Sequence, residues 1–115
     1  MAPYAQVAVT FASDLVAGQF EKAHALLSPV LRERVSPRDL RESLYSMFRG
    51  YSQAEPKSIH FNEEFAGDEW PGRLPGDVGW AHVSIEGDDF VEAVTVTVMD
   101  LDDQLLIRHV EWGRP

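Results

Sequence analysis

The segment LLIRHVEWGRP, Leu105 to Pro115, sets an imidazole and a carboxylate two residues apart, His109 and Glu111. Residues two apart on an extended strand share a face, so this pair can hold one ligand or pass one proton. A histidine hydrogen-bonded to a carboxylate is held in one tautomer and can act as a base. A carboxylate beside apolar residues has its charged form disfavoured and titrates nearer neutrality. Glu92, on the preceding strand, joins the pair if all three face inward, so His109, Glu111 and Glu92 are the candidate catalytic groups. The alternative is that they mark where the strands leave the core, with Arg108 or Arg114 pairing them near solvent.

Which way they face depends on the strands that carry them. Residues 78–86, 90–99 and 104–112 read as three strands joined by the acidic turns EGDD and DLDD, an antiparallel meander. A two-residue turn at Gly87-Asp88 sets Ile85 against Phe90, Val83 against Glu92 and Ala81 against Val94, and this more apolar set is expected under the helices. The turn within DLDD has no glycine for the left-handed residue of a three-residue loop, so a loop of two or four residues is expected. Regular pairing then puts Leu105, Ile107, His109 and Glu111 on the face of Val94, Val96 and Val98. The opposite face, with Trp80, Thr95, Thr97, Val110 and Trp112, is too apolar to be left wet and predicts a homodimer formed through the sheet.

The first half of the chain is helical. Tyr4, Val7, Ala8, Phe11 and Leu15 recur at helical spacing up to Gly18, and FEKAHALL forms a second helix that Ser28-Pro29 interrupts. Ser36 caps a third helix, with Pro37 in its first turn and Asp39 completing the capping pattern. Residues 58–65 alternate as a half-buried strand. The stretch from Gly67 to Gly79 holds two prolines and four glycines and reads as a long loop carrying Trp70 and Arg73. The expected fold is α+β: three N-terminal helices packed on a curved, mainly antiparallel four-stranded sheet, one domain over residues 1–115.

The opening FASDLVAGQFEKAHALLSPVLRERVSPRDLRESLYSMF resembles the helical start of the nuclear-transport-factor-2-like (NTF2-like, cystatin-like α+β) superfamily. The likeness lies in the Gly-polar-Phe step, the A..LL helix and the Ser-Pro-capped third helix; it covers the strands only by their order. The resemblance implies a cone-shaped pocket between helices and sheet, in a family of isomerases, dehydratases, cyclases and members without catalysis. It carries over no catalytic residue. It agrees with a homodimer and a small apolar ligand, for which Tyr4, Tyr45, His109 and Glu111 are the candidate binding residues.

Charge removes several classes. The net charge is −9, with six basic against five acidic residues in 1–50 and four against fourteen in 51–115. With no basic stripe and an acidic second half, nucleic acid is not expected as a partner. The chain has no cysteine, so no disulfide, Cys–zinc site or thiol nucleophile is possible. His60, His82 and His109 fall on separate strands, and the face assignment parts them, so no metal is expected. The acidic turns lie at opposite ends of the sheet and lack the spacing of a calcium loop. No cofactor motif is present, no apolar run approaches a membrane span, and cytoplasmic residence is the default.

The expected function is a non-catalytic small-ligand pocket domain that dimerises. One alternative is a proton-transfer enzyme using His109 and Glu111. Another is an acidic inhibitor or immunity-like protein for a basic partner, recognised through Asp88 and Asp89.

Overall fold

A computed structural model describes residues 1–51 and 55–113. Four helices, α1 (Pro3–Val16), α2 (Phe20–Ala25), α3 (Pro29–Arg34) and α4 (Pro37–Ser46), precede five strands, β1 (Ser58–His60), β2 (Ala66–Gly67), β3 (Asp77–Glu86), β4 (Val91–Leu101) and β5 (Gln104–Trp112). The chain is α+β, as its pattern predicts, with one helix and one short strand more than expected. The sheet is antiparallel in the order β1-β3-β4-β5, and β2 also pairs with β3.

The extra helix is α3. Ser28-Pro29 reads as an interruption, yet Ser28 accepts a hydrogen bond from the Leu31 N–H and Pro29 stands in the first turn, where its missing N–H costs nothing. Ser36 repeats the device for α4 with a full capping box, Asp39 N–H donating to Ser36 Oγ at 3.1 Å and Ser36 N–H to Asp39 Oδ2 at 2.9 Å. Removing that hydroxyl by Ser36→Ala should cost about 1 kcal/mol, read as a lower urea midpoint at unchanged slope. Helix α1 ends where Gly18, at φ +74°, lets Gln19 N–H reach the Asp14 carbonyl.

Helix α1 lies across β3, β4 and β5, and α2 and α4 pack beside it. The space between helices and sheet is occupied by Phe11, Leu15, Leu44, Phe48, Val83 and Val96, none more than 1% exposed. Phe90 extends this packing from the β3–β4 loop, its ring 4.3 Å from Phe48 and 5.1 Å from Tyr51. That loop has four residues, not two, because Glu86 pairs with Val91. The register therefore moves by two positions, which keeps each side chain on its expected face: Val83 meets Val94 and Ala81 meets Val96.

The β4–β5 turn has two residues. Asp102 and Asp103 take φ of +53° and +64°, a type I′ hairpin with Leu101 opposite Gln104. The even loop is as expected, and Ile107 lies opposite Val98. At the next step the pattern breaks: Thr97 pairs with His109, so Arg108 is one residue too many on β5. On the other side of β4 at the same level, Val78 is the extra residue between the Asp77–Met99 and Gly79–Val98 pairs.

Candidate functional site

The bulge at Arg108 decides the site. Beyond it every side chain of β5 changes face, and His109 and Glu111 come to lie beside Thr97 and Thr95 on the outer surface of the sheet. Their side chains are 53% and 70% exposed, with His109 Nε2 3.5 Å from Glu111 Oε1. The expectation that they face inward is thus corrected, and the apolar surroundings that argued for proton transfer are not around them. Val110 and Trp112, expected at a dimer interface, instead pack on the core, Trp112 with its ring 6.4 Å from Phe11. One signal for this stands in the sequence. The apolar residues of β5 run Leu105, Ile107, then Val110, Trp112, and only one inserted residue lets all four face the same side.

The other candidates disperse. Glu92 stays half-buried near the start of β4 on the inner face, where the Tyr51 hydroxyl donates to its Oε2 at 3.3 Å. Tyr4 lies flat against Gly79 and borders a cavity of about 270 Å³ with Phe61, Glu63 and Ala66. Tyr45 sits on α4, edge-on to Phe48 at 6.0 Å with the Arg41 guanidinium 5.6 Å from its ring centre. Tyr4, Tyr45, His109 and Glu111 therefore do not converge on one pocket. Asp88 is paired with Lys57 Nζ at 2.7 Å. Arg108 pairs with Asp77 rather than with Glu111, and Arg114 lies outside the described residues. His82 shares the outer face with His109, contrary to expectation, because the bulge turns His109 over. Even so, no group of three potential metal ligands is assembled among the described residues.

The outer face does gather a different set. Trp70, Trp80, Thr95, Thr97 and Glu111 line a cleft of about 180 Å³. Trp80 stands opposite Thr97 on β4 and Gly67 on β2. A Cβ at position 67 would stand 3.0 Å from the Trp80 Nε1, so the missing side chain of Gly67 gives the indole its place. Thr95 shares a hydrogen bond of 2.9 Å with His82 Nδ1. Burial holds that imidazole below its ordinary pKa, so it is neutral around pH 7 and Thr95 faces no extra charge there.

Trp70 reaches this cleft from the loop between β2 and β3, and one buried carboxylate holds the loop. Asp77, 1% exposed, receives the Leu74 N–H at 2.9 Å on Oδ2, and its own carbonyl receives Arg73 Nε at 3.1 Å. Arg108 grips the same carboxylate from β5, Nε to Oδ1 at 2.7 Å and Nη2 to Oδ2 at 2.8 Å. Asp77 thereby ties the loop bearing Trp70 to the strand bearing Glu111, across β4. Trp70 and Arg73 are legible in the sequence as loop residues; their approach to β5 is not, because Asp77 and Arg108 are 31 residues apart.

No protein family, curated protein or solved structure matches the chain. A shallow cleft with two indoles, two hydroxyls and one exposed carboxylate can stack on or enclose a small group and orient it by hydrogen bonds. No helix among the described residues is long and apolar enough to cross a membrane.

Proposed function

We propose that this protein is a non-catalytic small-ligand-binding domain that works from the outer face of its sheet. The observation that carries the reading is the Trp70–Trp80 cleft, in which four segments, the β2–β3 loop and strands β3, β4 and β5, place five side chains around one opening. The packed interior between helices and sheet favours this location over an inner pocket. The resemblance to the NTF2-like superfamily remains part of the proposal, supported by the order of helices before an antiparallel sheet.

The test uses the three indole N–H resonances, Trp70, Trp80 and Trp112, titrated with a panel of small neutral and charged compounds. Saturable shifts of Trp70 and Trp80, with Trp112 unmoved and Trp70→Ala abolishing the response, are expected. A panel that moves none of them saturably, or moves Trp112 alone, would overturn the reading.

A second reading, self-association through the same face, has its own support. Between Glu86 at one end and the Asp77–Arg108 pair at the other, Glu111 is the one carboxylate on the outer face of β3–β5, in a chain of net charge −9. Val91, exposed, and Trp80, Thr95 and Met99, half-buried, form an uncharged strip, with Ala93, Thr97 and Leu106 buried beside them, that a second copy would cover without bringing like charges together. Trp80, Thr95 and Thr97 lie on this outer face. A dimer mass in light scattering that Thr97→Arg returns to monomer supports this reading; a monomer at high concentration removes it.

A further inference from the structure

We infer that the Trp70–Trp80 cleft takes an alkylammonium group, an assignment that rests on the reading of the cleft as a ligand site. Among the described residues of its lining Glu111 is the only ionisable side chain, and it is 70% exposed, open to an incoming charge. The indoles attract cations through the negative face of their ring systems. The threonine oxygens beside them accept the N–H donors that an ammonium carries and a hydrocarbon lacks.

Among the described residues, the surrounding guanidinium groups are committed elsewhere. Arg108 spends Nε and Nη2 on Asp77, and Arg73 is bonded to the Asp77 carbonyl and to Glu69. An anion entering the cleft would therefore meet Glu111 with no guanidinium of the described residues turned toward it. Among the described residues His109 is the neighbouring group that competes for Glu111, and it does so as an imidazolium. The long-range field agrees, since residues 51–115 carry ten more acidic than basic groups and draw cations to this half of the chain. Size narrows the class. About 180 Å³ lies below the roughly 300–1,000 Å³ of sites for drug-sized ligands, which leaves room for one side-chain-sized group.

The experiment titrates the full chain at pH 8 with n-butylammonium, 1-butanol and butyrate, following the Trp70 and Trp80 indole N–H signals. Butylammonium is expected to bind at least tenfold more tightly than butanol, and butyrate more weakly than either. Glu111→Gln should bring butylammonium down to the level of butanol and leave butanol unchanged. Equal affinities for alcohol and ammonium, tighter binding of butyrate, or an ammonium affinity indifferent to Glu111→Gln would overturn the assignment while leaving the cleft a ligand site. Absence of a saturable shift with all three probes would overturn both. A blocked Gly-Lys-Gly peptide run beside butylammonium separates the sources: a tenfold gain for the peptide assigns the group to a lysine side chain, and parity assigns it to a free amine.

Discussion

Replacing Arg108 with methionine should destabilise the protein more than any other single change on the sheet's outer face. The substitution keeps most of the side chain's length and removes the charge that Asp77 needs. Asp77 has a side chain with no solvent exposure, while Arg108 retains 29%. Removing one partner of a buried pair strands the other charge in a poorly solvating site, which costs about 3–5 kcal/mol when burial is complete. The partial exposure of Arg108 places the expected loss toward the lower end of that range. Urea unfolding of Arg108→Met measures it, and a loss under 1 kcal/mol would refute the account of Asp77 as the hub.

The same pair makes the fold sensitive to acid. Burial alone would raise the Asp77 pKa, but the Arg108 hydrogen bonds, the Leu74 N–H and the charges of Arg108 and Arg73 outweigh it and hold the carboxyl below its ordinary value. A carboxyl whose folded pKa lies below its unfolded one contributes its full stability above the unfolded value, near pH 4, and loses it as pH falls through the folded value. Arg108→Met should therefore unfold at higher pH than the parent protein in an acid titration.

The second large effect is expected at Gly79. This residue sits on β3 directly beneath Tyr4 of α1, and an added methyl would run into the Tyr4 ring. Overpacking of this kind costs about 1–3 kcal/mol, because the helix must move off the strand or the ring must leave its rotamer. Gly79→Ala should lower stability by that amount, and the double variant Tyr4→Ala, Gly79→Ala should cost less than the two single changes added together. Strict additivity in this cycle would show that the two positions do not touch. Such a result would return Tyr4 to consideration as a ligand residue; the expected coupling assigns it to packing.

The local elements were legible because their causes are local. Ser36, Pro37 and Asp39 act within one turn of chain, and their capping box could be read from spacing alone. The alternation of β3 needs nothing beyond a period of two, and its odd residues from Gly79 to Ile85 are all buried. An even loop of two or four residues within DLDD was expected from its lack of glycine, and the loop has two residues, although Asp102 and Asp103 both adopt the left-handed region without one. Ser28-Pro29 carried the same start signal as Ser36-Pro37, and the extra helix shows that a Ser-Pro step opens a helix as readily as it closes one.

The amino-acid sequence by itself determined the class of fold, the faces of β3 and β4, and the absence of cysteine chemistry. Each follows from periodicity or composition, which neighbouring residues settle among themselves. Only the tertiary structure decided where His109 and Glu111 point, because one inserted residue reverses a strand and the insertion is placed by pairing with β4. The cleft likewise awaited folding. Trp70, Trp80 and Glu111 are distant in sequence and meet because Asp77, with its charge buried, had to be satisfied by Arg108 from two strands away.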